Sequence, residues 1–314
     1  MKPLGLVLLV AALQSVPPED PASAVHPRKF GAPGGVGETR GWYLWHSFDA
    51  EKWTAEVSRE QGGERTTVRV LPWLTSYRQL AYPGHPDELR AGERVNLFFN
   101  PEGAVKRAYL VHFQDEIGQM KGHGHFWQVE ETAGRGFKAR GMAGEKPLDP
   151  AAFDFELDPA AVCWRGGKVV ADAGLAKDDH LYLSWCAESG KRVVKLLADA
   201  ASLDAIKAEA EKRSRERAAR EGLAGFVEGP TQLLVFPAYW SLTGGLKAGQ
   251  KVRVSATDAA YKASGSAIEA TVVSRKNVGA YGSGCTEVVI EGAPADVLKS
   301  WTGGKVVRIF AVSP

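Results

Sequence analysis

Leu89-Arg-Ala-Gly92-Glu-Arg-Val95-Asn-Leu97-Phe98-Phe99 is the stretch that decides the fold. A leucine three residues before a glycine reads as a plug for the end of a small barrel. The glycine then permits the positive φ of a tight turn that starts the next strand. Beyond the turn, alternation puts Val95, Leu97 and Phe99 on one face. The same grammar recurs at Leu175-Ala-Lys-Asp178, ahead of Leu181-Tyr-Leu-Ser-Trp185. Asp178 stands where the first copy has glycine, and Asp tolerates that conformation better than most residues. A third copy opens at Leu246-Lys-Ala-Gly249 and runs into Val252-Arg-Val254. In the first two copies a turn follows (Asn100 to Gly103, Glu188 to Gly190), and then a return opening on Lys106-Arg107 or Lys191-Arg192. Three copies at matching offsets predict a repeated architecture.

Outward from these copies the signals are mostly β. Trp53 to Val57 and Thr66 to Val70 alternate around the turn at Gln61-Gly62-Gly63 and read as a hairpin. Ala267 to Val273, Thr286 to Ile290 and Val306 to Val312 alternate as well, around a glycine-rich loop at Gly279 to Gly284. One helix interrupts the pattern at about 202–221, with Ser202 as N-cap, Asp204 in its first turn and Gly222 as its stop. Leu203 and Ile206 are its apolar patch, and beyond Ala210 it is nearly all charge. Glu209–Arg213, Glu211–Arg215 and Glu216–Arg220 are i,i+4 pairs, so the helix reads as a solvated connector. A basic partner-binding face around Lys212, Arg213, Arg215, Arg217 and Arg220 is its functional alternative.

The N-terminus reads as an export signal. Met1-Lys2 is a basic start, and Leu4 to Leu13 is an uncharged apolar run too short to span a bilayer. Ala22-Ser23-Ala24 is a cleavage site, with Ser15 as a nearer candidate. Val25 to Gly41 is rich in Pro and Gly and reads as leader, and the cluster Trp42, Tyr43, Trp45 and Phe48 as a segment docking on the body. The expected organisation is a signal peptide at 1–24, a flexible leader at 25–51, and β-barrel modules at 52–118, 119–201 and 223–314. A connecting helix at 202–222 precedes the last module.

The order of hairpin, L-x-x-G turn, apolar strand and Lys-Arg return resembles OB-like small-barrel domains of unknown function that occur in tandem in exported bacterial proteins. The resemblance is carried by Phe153-Asp-Phe-Glu-Leu-Asp-Pro159, Trp164-Arg-Gly-Gly167, Leu175 and Leu181 to Trp185, and in the first module by Leu89 to Phe99. It spans roughly residues 52–254 and implies a partly closed five-stranded barrel per module. It transfers no catalytic residue. The expected fold class is therefore mainly β, with two to three tandem OB-like barrels and one connecting helix.

The composition is that of a globular chain, with 44% hydrophobic and 24% charged residues among 314. Removal of 1–24 leaves 38 of 39 basic and 35 of 37 acidic side chains, a balance of +3, too small to predict a nucleic-acid or membrane partner. No later segment is long and apolar enough to span a membrane. Cys163, Cys186 and Cys285 are the three thiols, an odd set for an exported chain; Cys163 with Cys186 is the candidate disulfide, and unbridged buried thiols are the alternative.

His123-Gly-His125 offers two imidazoles at i and i+2, on one face if the segment is a strand. With His112 and Met120 they form a candidate Cu or Zn set. Phe98, Tyr109, Trp127 and Tyr182 are candidate stacking aromatics for a single strand or a sugar, though nucleic acid is an improbable partner for an exported protein. No G-x-S-x-G elbow or phosphate loop is present. Asp115-Glu116 and Asp178-Asp179 read as loop charge, because neighbouring strand residues face opposite ways. These features predict an exported, non-enzymatic binding or scaffold protein of the periplasm or cell exterior, with no resident cofactor. Its partner would be an envelope protein or a small ligand, and the His pair is the metal-binding alternative.

Overall fold

The computed structural model describes residues 39–60, 63–70, 76–78, 85–100, 109–236, 246–278, 285–302 and 305–312. It gives the backbone only at 39–40, 76–78, 98–100, 109–112, 278 and 285. The expected signal peptide and the Gly279 to Gly284 loop lie outside the described residues.

The first barrel uses β1 (Thr39–Asp49), β2 (Thr54–Arg59), β3 (Thr66–Val70), β5 (Glu93–Asn100) and β6 (Tyr109–Asp115), with the short β4 (Ser76–Arg78) alongside β6. Its pairings run β1–β2–β3–β6–β5 and return to β1, and β3 and β6 are parallel. After the helix α1 (Glu116–Gly122), the second barrel uses β7 (His125–Ala133), β8 (Gly136–Ala143), β10 (Phe153–Arg165), β12 (His180–Glu188) and β13 (Lys191–Asp199). Two short strands, β9 (Lys146–Pro147) and β11 (Lys168–Val170), flank β8 and β10. This ring runs β7–β8–β10–β13–β12 and back to β7, again with its third and fifth strands parallel. Both rings have the order 1-2-3-5-4-1 of an OB barrel. A bridge between Glu93 on β5 and Cys186 on β12 fuses them into one thirteen-stranded sheet among the described residues.

The leader expectation is corrected at its C-terminal end, because β1 lies inside the predicted 25–51 segment and is the strand on which the first barrel closes. Tyr43 and Trp45 alternate into its core with Val57, Val95, Leu97 and Phe113. Trp42 faces the other way, under the Arg94 guanidinium at 3.7 Å from the ring centroid.

The three repeat turns adopt the backbone their sequence requires. Gly92, Asp178 and Gly249 have φ of 80°, 66° and 82°. The strands they open, β5 and β12, hold the same fourth position in the two OB rings, and β6 and β13 are the returning partners.

Helix α2 (Leu203–Glu221) ends at Gly222, whose φ is 75° and whose N–H donates to the Ala218 carbonyl. Its buried stripe is Leu203, Ile206, Ala210 and Ser214, spaced three and four apart along one face. Ser202 makes no side-chain cap bond to the helix; Asp199 instead accepts from the Ser202 backbone N–H at 2.9 Å. The helix is more than a solvated connector, since Arg217 forks onto Asp87 of the first barrel at 2.8 and 3.1 Å.

The last module is a barrel of another kind. Strands β14 (Leu223–Gly229), β15 (Gln232–Phe236), β16 (Lys251–Ala256), β17 (Ile268–Val278), β18 (Cys285–Glu291) and β19 (Val306–Ala311) close in the order β14-β15-β18-β17-β16-β19. Every pairing in it is antiparallel, so two of the three modules are OB-like. Helix α3 (Ala295–Trp301) seals it with Leu298 and Trp301. Strands β14 and β15 are apolar on both faces because both are covered. Val227, Leu233 and Val235 fill their own barrel, while Phe226, Leu234 and Phe236 join the core of the first. Trp53 Nε1 donates to the Ala260 carbonyl at 2.8 Å across the same junction, and its ring meets Tyr261 edge-on. Shared burial on this scale holds the first and third barrels as one body.

Candidate functional site

Among the described residues the buried acidic side chains, Glu93, Asp115 and Glu116, lie where the two OB barrels meet. Glu93 opens β5 and is 4% exposed; its Oε1 accepts from Ser184 Oγ on β12 at 3.1 Å, and its Oε2 from the Arg90 backbone N–H at 3.0 Å. Asp115 ends β6 and is 5% exposed, and its Oδ1 caps α1 by accepting from the Gly118 N–H at 2.8 Å. Glu116, 1% exposed, accepts at Oε1 from Trp127 Nε1 at 3.0 Å and from Arg94 Nη1 at 3.1 Å. Its Oε2 is buried with no hydrogen-bond partner.

Burial pushes Asp115 up to about 7, against the pull of the Gly118 N–H and with help from the Glu93 and Glu116 charges. Burial likewise pushes Glu116 up to about 7, with Arg94 pulling it back, and raises Glu93. A Glu116 that keeps its proton fits the missing partner at Oε2, because a neutral acid costs far less to bury than a carboxylate.

Asp115, Glu93 and Ser184 form the floor of a cleft of about 420 Å³. One wall is apolar: Ile117, Val162, Trp164, Leu196 and Ile206. The rim is charged: Glu88, Arg90, Glu209 and Arg213. Ile206, Glu209 and Arg213 follow helical spacing, so one face of α2 lies over the cleft. The volume falls within the range of small-molecule pockets, and a mostly apolar wall with a few convergent polar groups is their usual chemistry.

This overturns the sequence reading of Asp115-Glu116 as loop charge. The two carboxyls sit at a strand-to-helix corner, where adjacent residues no longer alternate across a sheet, and both turn inward. A local signal was present: Asp three residues before a glycine and followed by Glu is a helix start.

The predicted metal set is only partly assembled. His123 and His125 do come together, with ring centroids 5.5 Å apart. They do so through a helix C-cap at His123 and a turn at Gly124 (φ 69°), not through one strand. Burial and the neighbouring His123 lower the His125 pKa. Met120 points away into the second barrel's core, since α1 buries that face. The His112 side chain lies outside the described ones; its backbone pairs with Phe98 on β5. Among the described residues no group of three or more His, Cys, Asp or Glu is placed to hold a metal.

Of the candidate aromatics, the side chains of Phe98 and Tyr109 lie outside the described ones. Trp127 packs edge-on against Phe153 and Phe155 in the core and offers no stacking platform, and Tyr182 is half-buried against the same core.

Of the two readings of the thiols the candidate disulfide is not formed: Cys163 and Cys186 are free, buried thiols. Strand β13 separates them, with Cys163 opposite Leu197 and Cys186 opposite Val193. Cys163 belongs to the second core, whereas Cys186 is buried at the seam where its backbone pairs with Glu93. Two strand spacings and the offset from Val193 to Leu197 along β13 exceed the ~7 Å between Cα atoms that a disulfide spans. Burial raises both thiols, Cys186 to about 12. Iodoacetamide at neutral pH is expected to leave both unlabelled in the native protein and to label both after unfolding, read by peptide mass spectrometry. Native labelling of Cys186 would show that the junction between the barrels opens.

No family model and no curated protein matches this chain. Among solved structures it is similar to one described as "drosophila Unr CSD456", at 7% identity, covering 81% of this chain and 96% of that one with a TM-score of 0.19. A likeness that low carries no weight, so the OB-like assignment stands on strand order. No helix among the described residues is long and apolar enough to cross a membrane.

Proposed function

We propose that this chain is an exported, non-enzymatic binding protein of the cell envelope that takes a small ligand in the cleft between its two OB barrels. The observation that carries this reading is the cleft itself: an apolar wall and a carboxyl floor brought together by β5, β6, β10, β12 and α2. A groove built at the junction of rigid barrels is pre-formed, so little ordering cost is paid on binding. Export is supported by Leu4 to Leu13 and Ala22-Ser23-Ala24.

Two measurements test it. A tagged full-length chain expressed in a Gram-negative host is expected in the periplasmic fraction with a new N-terminus near residue 16 or 25; retention in the cytoplasm uncut would refute export. A thermal-shift panel of small amines, acids and neutral aromatics is expected to give at least one stabilising ligand whose effect disappears in Val162→Trp. Val162 is 36% exposed at the cleft, so tryptophan there fills the groove at small cost to the fold. A panel with no ligand sensitive to that substitution would sink the cleft as a binding site.

A further inference from the structure

The floor of this cleft carries one unspent acceptor, and it narrows the ligand class. Both oxygens of Glu93 are committed, one to Ser184 and one to the Arg90 N–H. Asp115 spends only Oδ1, on the Gly118 N–H. Its Oδ2 takes no hydrogen bond from a described residue, and it belongs to a residue that is 5% exposed and lines the cleft. Of the basic groups near it, Arg94 is held by Glu116 at 3.1 Å and Glu60 at 3.0 Å, and the others lie at the rim: Arg90 is exposed, and Arg213 is 42% exposed and reaches Glu209 at 3.9 Å. The deep end is therefore acidic and short of a cation, while the wall is apolar.

We infer that the cleft takes a small organic ammonium ion, its –NH3⁺ on Asp115 Oδ2 and its apolar body against Trp164, Leu196 and Ile206. This rests on the cleft being the binding site. An ammonium group supplies both the missing donor and the missing positive charge for a carboxylate held away from water. A hydrated inorganic cation is a poor match for this wall, and no three-ligand metal group is present among the described residues.

The groups that face Asp115 set its charge. Glu93 on β5 and Glu116 on α1 act on it directly; Glu88 and Arg90 on the turn before β5, and Glu209 and Arg213 on α2, line the same cleft, and Arg94 on β5 is held by Glu116. Burial, helped by the Glu93 and Glu116 charges, holds a proton on Asp115 that a bound ammonium must displace. Binding is then weaker in acid.

The test is calorimetric titration of the full chain with benzylamine and with benzyl alcohol, its neutral counterpart, at about pH 8 and about pH 5.5. At the higher pH benzylamine is expected to bind at least about ten-fold more tightly than the alcohol. The preference should vanish in Asp115→Asn, which still caps α1 because Asn is as good an N-cap as Asp. Benzylamine binding is expected to weaken about ten-fold or more at the lower pH. Equal affinity for the two probes, lost in Val162→Trp, would overturn the ammonium assignment and leave the cleft standing. Amine binding that survives Asp115→Asn would overturn it too. Binding by neither probe would refute the ammonium assignment, and failure of the wider panel would refute the cleft. The amine–alcohol comparison on the unaltered chain decides the matter even if the Asn variant does not fold.

Discussion

Gly92→Ala is expected to destabilise this protein by about 3 kcal/mol or more, while Gly249→Ala, at the same place in the third repeat, costs only about 1 kcal/mol. The backbone conformations are nearly identical, with φ of 80° and 82°, so the strain of a positive φ is common to both. The surroundings differ. A Cβ on Gly92 would lie 2.7 Å from the Ala187 carbonyl oxygen and 3.3 Å from its nitrogen, whereas a Cβ on Gly249 meets nothing within 4 Å. Ala187 follows β12's contact with the first barrel, and its N–H donates to the Gly92 carbonyl at 2.8 Å while the Gly92 N–H donates to Trp45. The methyl therefore pushes two backbones apart, and backbone cannot swing away as a side chain does. Because Arg90 and Glu93 flank Gly92 and line the cleft, the same substitution should also remove ligand binding. Urea unfolding midpoints of the two variants measure the contrast. Equal losses would mean that the two OB barrels do not meet backbone to backbone at this turn.

Stability is expected to fall as pH rises from about 5 to about 8, by several kcal/mol. Asp115 and Glu116 titrate at about 7 in the folded chain, and Glu93 is raised as well. In the unfolded chain all three titrate near 4. Between those values the folded state holds protons that the unfolded state has lost. Stability is then full below the unfolded pKa and declines until pH passes the folded one. The carboxylates with lowered pKa, such as Asp87 at about 2, are ionised in both states above pH 5 and add no slope there. His46 and His125 are lowered by burial and work in the opposite direction below about pH 6.5, but both are mostly solvent-screened and weaker. The pair Glu93→Gln with Asp115→Asn is expected to make the curve shallower and leave the part due to Glu116, since neither amide has a proton to lose. Urea unfolding at a series of pH values reads both results. A stability that climbs from pH 5 to 8 would mean that these carboxyls are ionised where they lie.

The contrast between the two glycines shows how far the repeat could be read. L-x-x-G named three turns and the left-handed residue in each, because a tight turn is a local demand that Gly92, Asp178 and Gly249 answer by themselves. The helix between barrels, with its stop at Gly222, was legible for the same reason. Strand β1 was not, since its aromatics follow a Pro- and Gly-rich run and their alternation shows only against β2 and β5. The all-antiparallel closure of the third barrel was equally hidden: the same turn opens β16 there, but pairing partners are chosen by distant strands.

The amino-acid sequence by itself determined the mainly β class, the repeated turns and the charged helix, because periodicity and φ preference act within a few residues. Tertiary structure alone decided that Asp115, Glu93 and Ser184, 91 residues apart at the extreme pair, share one floor. It also decided that Cys163 lies in the second barrel's core while Cys186 is buried at the seam beside Glu93, and that β14 and β15 bury both faces. Burial is a property of what packs opposite a residue. A carboxyl, a thiol or a valine carries no mark of it until another barrel closes over it.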